Sequence, residues 1–208
     1  MVKSYQKMVN YINKEIFQSD MKAEEKIYLA FFELKQPRIY YNQIKEHTKL
    51  SHSSLQNALK KLKDVFEEEK TKSNTFYKIN DKKFFGLKFS EIAINKFKHL
   101  NPNIKTPLNN FLKKIPGQIY TIVLFGSASR KEETKRSDID ILIVSDKKVN
   151  LSKNKKEAEI TSKHPISLFQ VTFDQFKKNK DDVVIQVRKT GFPIYKEQNF
   201  YEVILDEY

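Results

Sequence analysis

The chain contains no cysteine. That excludes a disulfide framework, a thiolate metal site and a cysteine nucleophile. Nowhere is there an apolar run of the roughly 18–20 residues needed to cross a bilayer. The opening stretch Met1-Val2-Lys3-Ser4-Tyr5 lacks the apolar segment of a secretory signal. No internal repeat is visible. The histidines His47, His52, His99 and His164 are scattered, without zinc-site spacing, and read as surface or capping residues. No motif interleaves aromatic and basic residues in the RNA-binding manner, so the Phe and Tyr side chains are expected in the core. A cytoplasmic protein with no membrane partner is the expectation.

What is present is a 208-residue chain, long enough for one large domain or two small ones. Hydrophobic residues make up 39%, enough for a packed core. The formal charge of +13 favours polyanionic partners. Lys, Asn and Ile are abundant throughout, as an AT-rich genome would give, so the charge is discounted as evidence for DNA. The lysine-rich stretch around 153–156 reads as a solvated helix face.

Leu100 to Pro107 carries two prolines and two asparagines and reads as a linker. We expect domains at 1–103 and 104–208. Helical spacing is visible over 4–18 (Met8, Val9, Tyr11, Ile12, Ile16) and 21–35 (Ile27, Tyr28, Ala30, Phe31, Phe32, Leu34). Asp20 is the expected cap of the second helix, with Glu24 and Glu25 in its first turns. A short helix is expected over 41–48, then a break at Leu50-Ser51-His52. A helix over 53–64 follows, with Leu55, Ala58, Leu59 and Leu62 on one stripe. Two strands, 65–70 and 75–79, flank the polar tip Thr71-Lys72-Ser73-Asn74.

This order over residues 20–90 resembles the winged helix-turn-helix family. The resemblance implies double-stranded DNA as a partner. It assigns Ser53, Ser54, Gln56, Asn57, Lys60 and Lys61 to the major groove, and Lys70 and Lys72 to the phosphate backbone. Glu67-Glu68-Glu69 in the first wing strand argues the other way, because carboxylates repel phosphate. The plainer alternative is a small helical domain that contacts a partner or the catalytic half.

Helices are expected over 89–99 and 107–115. After them the pattern changes to apolar strands at Ile119–Phe125, Ile139–Val144 and Pro165–Phe173, with an exposed helix over about 151–163. The expected class is therefore α/β (α+β): a winged-helix-like domain followed by a mixed sheet flanked by helices.

The stretch from Tyr120 to Val144 carries the chemistry. A strand ends at Phe125, Gly126-Ser127 forms a turn opening a short helix, and a second strand begins with Asp138-Ile139-Asp140. Gly126 permits positive φ and close approach of backbone to a phosphate. The Ser127 hydroxyl and the following N–H groups can donate to phosphate oxygens at a helix start. Residues i and i+2 of a strand share a face, so Asp138 and Asp140 present paired carboxylates. Such a pair suits Mg²⁺, which takes its remaining ligands from water and phosphate.

Strand, Gly-Ser, ten residues (128–137) and Asp-x-Asp entering a strand resemble the polymerase-β nucleotidyltransferase superfamily, in its minimal nucleotidyltransferase branch. The resemblance covers about 105–196, including Gly191-Phe-Pro-Ile-Tyr195. It implies ATP or another nucleoside triphosphate as substrate, Mg²⁺ held by Asp138 and Asp140, triphosphate bound by Gly126, Ser127, Arg130 and Ser137, and transfer of a nucleoside monophosphate to an acceptor hydroxyl. It extends to the antitoxins of this branch that attach AMP to a partner toxin. Two departures stand out. Ala128-Ser129-Arg130-Lys131 replaces the common Arg-Ala-Arg-Gly. Ser167 stands where active members carry a third carboxylate, with Asp174 beyond the strand. The alternative to an enzyme is a DNA-binding regulator with a weakened nucleotide-binding half.

Overall fold

The structure is a computed structural model that describes residues 21–208. The helix expected over 4–18 and the cap assigned to Asp20 lie outside the described residues. The chain divides into two compact units. One runs to Ile92 and includes Ile204–Tyr208; the other is Ala93–Val203.

In the first unit, α1 (Ala23–Leu34) starts from Lys22, whose backbone N–H donates to Glu25 Oε2 at 3.1 Å. The cap position is thus Lys22. A short strand β1 (Arg38–Tyr40) leads into α2 (Tyr41–Thr48). The break at Leu50 and Ser51 has a physical cause. Lys49 takes the left-handed conformation that ends α2, and Ser51 Oγ accepts from Ser54 N at 3.2 Å to start α3 (His52–Lys61). Strands β2 (Phe66–Lys70) and β3 (Thr75–Ile79) form a hairpin, and the antiparallel sheet has the order β1-β3-β2. Strand β1 was not anticipated, since three residues are too few for period-2 alternation to show.

The aromatic residues build this core, as expected. Phe31, Phe66, Phe85 and Phe89 are buried, and Phe66 lies 4.7 Å from Phe31 and 5.1 Å from Phe85, centroid to centroid. Such ring pairs add about 0.5–1.5 kcal/mol each beyond their burial.

Helix α4 (Lys82–Lys98) is longer than the expected 89–99. The supposed linker is also mostly helix, α5 (Pro102–Phe111). Asn101 Oδ1 caps it by accepting from Asn103 N at 3.0 Å. Pro102 occupies the first turn, where a missing N–H costs nothing. Pro107 lies inside the helix and is buried. Prolines read as punctuation were here a helix start and a packing surface.

The second unit contains a mixed four-stranded sheet, order β6-β5-β4-β7. Strands β4 (Ile119–Phe125) and β5 (Ile139–Ser145) are antiparallel, β5 and β6 (Ile166–Val171) parallel, and β7 (Phe192–Tyr195) antiparallel to β4. The central strands are buried on both faces, which is why they read as continuous apolar runs. A single turn, α6 (Gly126–Ser129), follows β4. Helix α7 (Ser152–Ile160) connects β5 to β6, and α8 (Phe173–Lys178), α9 (Asp182–Thr190) and α10 (Glu197–Asp206) complete the chain. No described helix is long and apolar enough to cross a membrane.

Candidate nucleotide site

The site forms where β4 ends and β5 begins. Their antiparallel register sets Phe125 opposite Asp140, so the residue after Phe125 meets the carboxylate strand. That residue is Gly126, with φ +70°. A Cβ there would run into Asp140 Oδ2, with Asp140 Cγ at 3.2 Å. The missing side chain therefore makes room for the carboxylate itself as well as for the backbone conformation. Asp140 and the Gly-Ser bend are in direct contact.

Helix α6 spans only four residues. One turn carries little macrodipole, so it offers an anion only its individual N–H groups. The turn is held from inside: buried Ser129 donates its hydroxyl to Gly126 O at 2.8 Å. Ser127 is half-buried, and its carbonyl accepts from Arg130 N at 3.1 Å and Glu132 N at 3.0 Å. Lys131 then takes φ 57°, the left-handed region, at the position where the related pattern has glycine. Arg130 is turned along the surface, its Nε 2.9 Å from Glu132 Oε2.

Asp138 lies one residue before β5 and Asp140 within it; both are half-buried. Burial pushes the Asp140 carboxyl above its ordinary value, and the negative charge of Asp138 adds to the shift. Two like charges thus stand together. Ser137 sets the entry: its Oγ accepts from Thr134 N at 2.9 Å, closing the 134–137 turn. Its carbonyl accepts from His164 Nδ1 at 2.9 Å; a carbonyl can only accept, so that nitrogen carries the proton. His164 is therefore tied to the backbone beside Asp138, a link that its position at the start of a strand parallel to β5 only hinted at.

The neighbouring strand supplies Ser167. The register pairs it with Asp140, on the same face, and its hydroxyl donates to Asp138 Oδ2 at 2.9 Å. Among the described residues no group of three His, Cys, Asp or Glu side chains could hold a metal. The donors nevertheless suit one Mg²⁺, which takes hard carboxylate oxygens: Asp140 within β5 and Asp138 just before it.

A family model described as the nucleotidyltransferase domain matches residues 106–195. Residues 106–195 are a nucleotidyltransferase domain. No curated protein and no solved structure matches the chain. The match spans β4, the Gly-Ser turn, both aspartates, Ser167 and β7, so every feature described above falls inside the nucleotidyltransferase domain.

The residues assigned to DNA belong to the first unit. Ser53, Ser54, Gln56, Asn57, Lys60 and Lys61 are all exposed on α3, opposite buried Leu55, Ala58 and Leu59. Lys61 is held by Glu24 at 2.8 Å, and Lys70 by Glu68 at 3.1 Å. Glu69 lies 3.4 Å from Arg38. Two of the three wing carboxylates thus have basic partners. Lys72 is exposed at the hairpin tip.

Proposed function

We propose that the domain binds a nucleoside triphosphate, ATP in the first instance, together with Mg²⁺, and transfers the nucleoside monophosphate to an acceptor hydroxyl. The observation that carries this reading is the packing of Asp140 against Gly126, which sets the Gly-Ser bend beside the carboxylates. Asp138 and Asp140 would hold the ion. The Gly126-Ser127 bend would hold the triphosphate, with Arg130 exchanging Glu132 for phosphate and Ser137 fixing the approach to Asp138. Bound Mg²⁺ would neutralise phosphate charge. The chain's own part is positioning and preorganised electrostatics. A protein hydroxyl, including one on a toxin partner, is among the acceptors this chemistry allows. The test is incubation with α-labelled ATP and Mg²⁺, with and without co-purified proteins. Label transfer and pyrophosphate release that vanish in Asp138→Ala support the reading; transfer that survives it removes these residues from the role.

A second reading has its own observation. The uniformly polar, exposed face of α3 beside a three-stranded antiparallel sheet suits a major-groove contact. In that reading the first unit grips duplex DNA and the nucleotidyltransferase domain senses nucleotide. Duplex binding with a steep salt dependence, reduced in Lys60→Ala and indifferent to Asp138→Ala, supports it. Absence of duplex binding at low salt removes it.

A further inference from the structure

Ser167 stands on the strand beside the two candidate carboxylates. Two-ion phosphoryl chemistry needs each ion clamped, one on the leaving side and one on the attacking side. Mg²⁺–oxygen bonds are about 2.1 Å and near-octahedral, so two oxygens in adjacent positions on one ion stand about 3 Å apart. Ser167 Oγ and Asp138 Oδ2 stand 2.9 Å apart, and Ser167 is in register with Asp140. That separation is also an ordinary O–H···O hydrogen bond, so what places Ser167 at the site is its register with Asp140 together with that bond. Its side chain, however, is a neutral hydroxyl that donates a hydrogen bond to Asp138. It offers no charge to a second ion and occupies one of the two Asp138 oxygens. No other acidic side chain joins the pair among the described residues.

We propose that the nucleotidyltransferase domain is a one-ion site, which takes a nucleoside triphosphate with a single divalent cation, and that Ser167 is the position that withholds the second. The proposal rests on the nucleotide-binding reading above. Ser167 acts here through Asp138, as a positioning residue.

The experiment counts ions. The full-length protein is saturated with Mn²⁺ and α,β-methylene-ATP and freed of excess by rapid gel filtration, and Mn²⁺ is measured per bound nucleotide. The expected result is one for the wild type, one for Ser167→Ala and two for Ser167→Asp. Two ions in the wild type overturn the proposal, and so does one ion in a Ser167→Asp protein that melts cooperatively. Should Ser167→Asp fail to fold, the wild-type count still decides between one and two. Retention of neither nucleotide nor Mn²⁺ by the wild type overturns the proposed function itself, and this inference with it. That result is distinct from a count of two.

Discussion

Ser167 donates its hydroxyl to Asp138 Oδ2 across 2.9 Å, from the strand position paired with Asp140. The two candidate ligands are therefore held differently. Asp138 is oriented by a hydrogen bond, whereas Asp140 is wedged against a glycine and raised in pKa by burial and by Asp138. The following outcomes depend on that difference.

Asp140→Asn stabilises the protein near neutral pH when no divalent cation is present. The sign follows from linkage. A carboxyl whose folded pKa exceeds its unfolded value of about 3.9 favours folding fully only below that value. The contribution is lost as pH rises through the folded pKa. Removing the charge removes the loss. Urea denaturation in EDTA at pH 7 and at pH 3.5 should show a gain at the higher pH only. Mg²⁺ with ATP should stabilise the wild type and not the variant.

Gly126→Ala loses stability on two counts. The left-handed conformation costs a residue with a Cβ about 1–2 kcal/mol, and the new methyl meets the Asp140 carboxylate. A drop of at least that size in urea denaturation is expected, with nucleotide binding lost because Asp140 must move. A variant as stable as the wild type would show that the bend relaxes freely.

Lys131→Gly should do the opposite. Lys131 pays the left-handed penalty with φ 57°, and glycine would remove it at an entropic cost of about 0.5–1 kcal/mol. The expected net is a gain of roughly 0.5 kcal/mol in chemical denaturation, with nucleotide affinity within twofold of wild type.

Asn154→Ala should destabilise the second unit alone. Its Nδ2 donates to both Phe111 O, at 2.9 Å, and Lys113 O, at 2.8 Å, at the end of α5. Two carbonyls lose their partner, a cost of about 1–2 kcal/mol. Hydrogen exchange should quicken around 108–114 and stay unchanged in 23–61.

The sequence made some of this legible and hid the rest, for identifiable reasons. Strand β4 was readable to the residue because it is buried on both faces, and Asp-x-Asp marked the start of β5. The same pleat argument put both carboxylates on one face. Local chemistry defeated the reading at Pro102 and Pro107, where a cap at Asn101 turned an apparent linker into a helix. The early turns of α4 were missed because Lys82, Lys83 and Lys88 interrupt its apolar spacing. Tertiary facts stayed hidden: that Asp140 needs Gly126 bare, that Arg130 leans on Glu132, and that His164 reaches the Ser137 carbonyl. No single-residue pattern encodes these: the first and third depend on which strands lie side by side, and the second on how one loop turns.

The most direct test of the central claim is calorimetric titration of the full-length protein with α,β-methylene-ATP, in Mg²⁺ and in EDTA, for the wild type, Asp138→Ala and Asp140→Ala. Binding in Mg²⁺ that falls at least tenfold in EDTA and in both variants is the predicted result. Binding of equal strength in EDTA, or in either folded variant, would contradict the account.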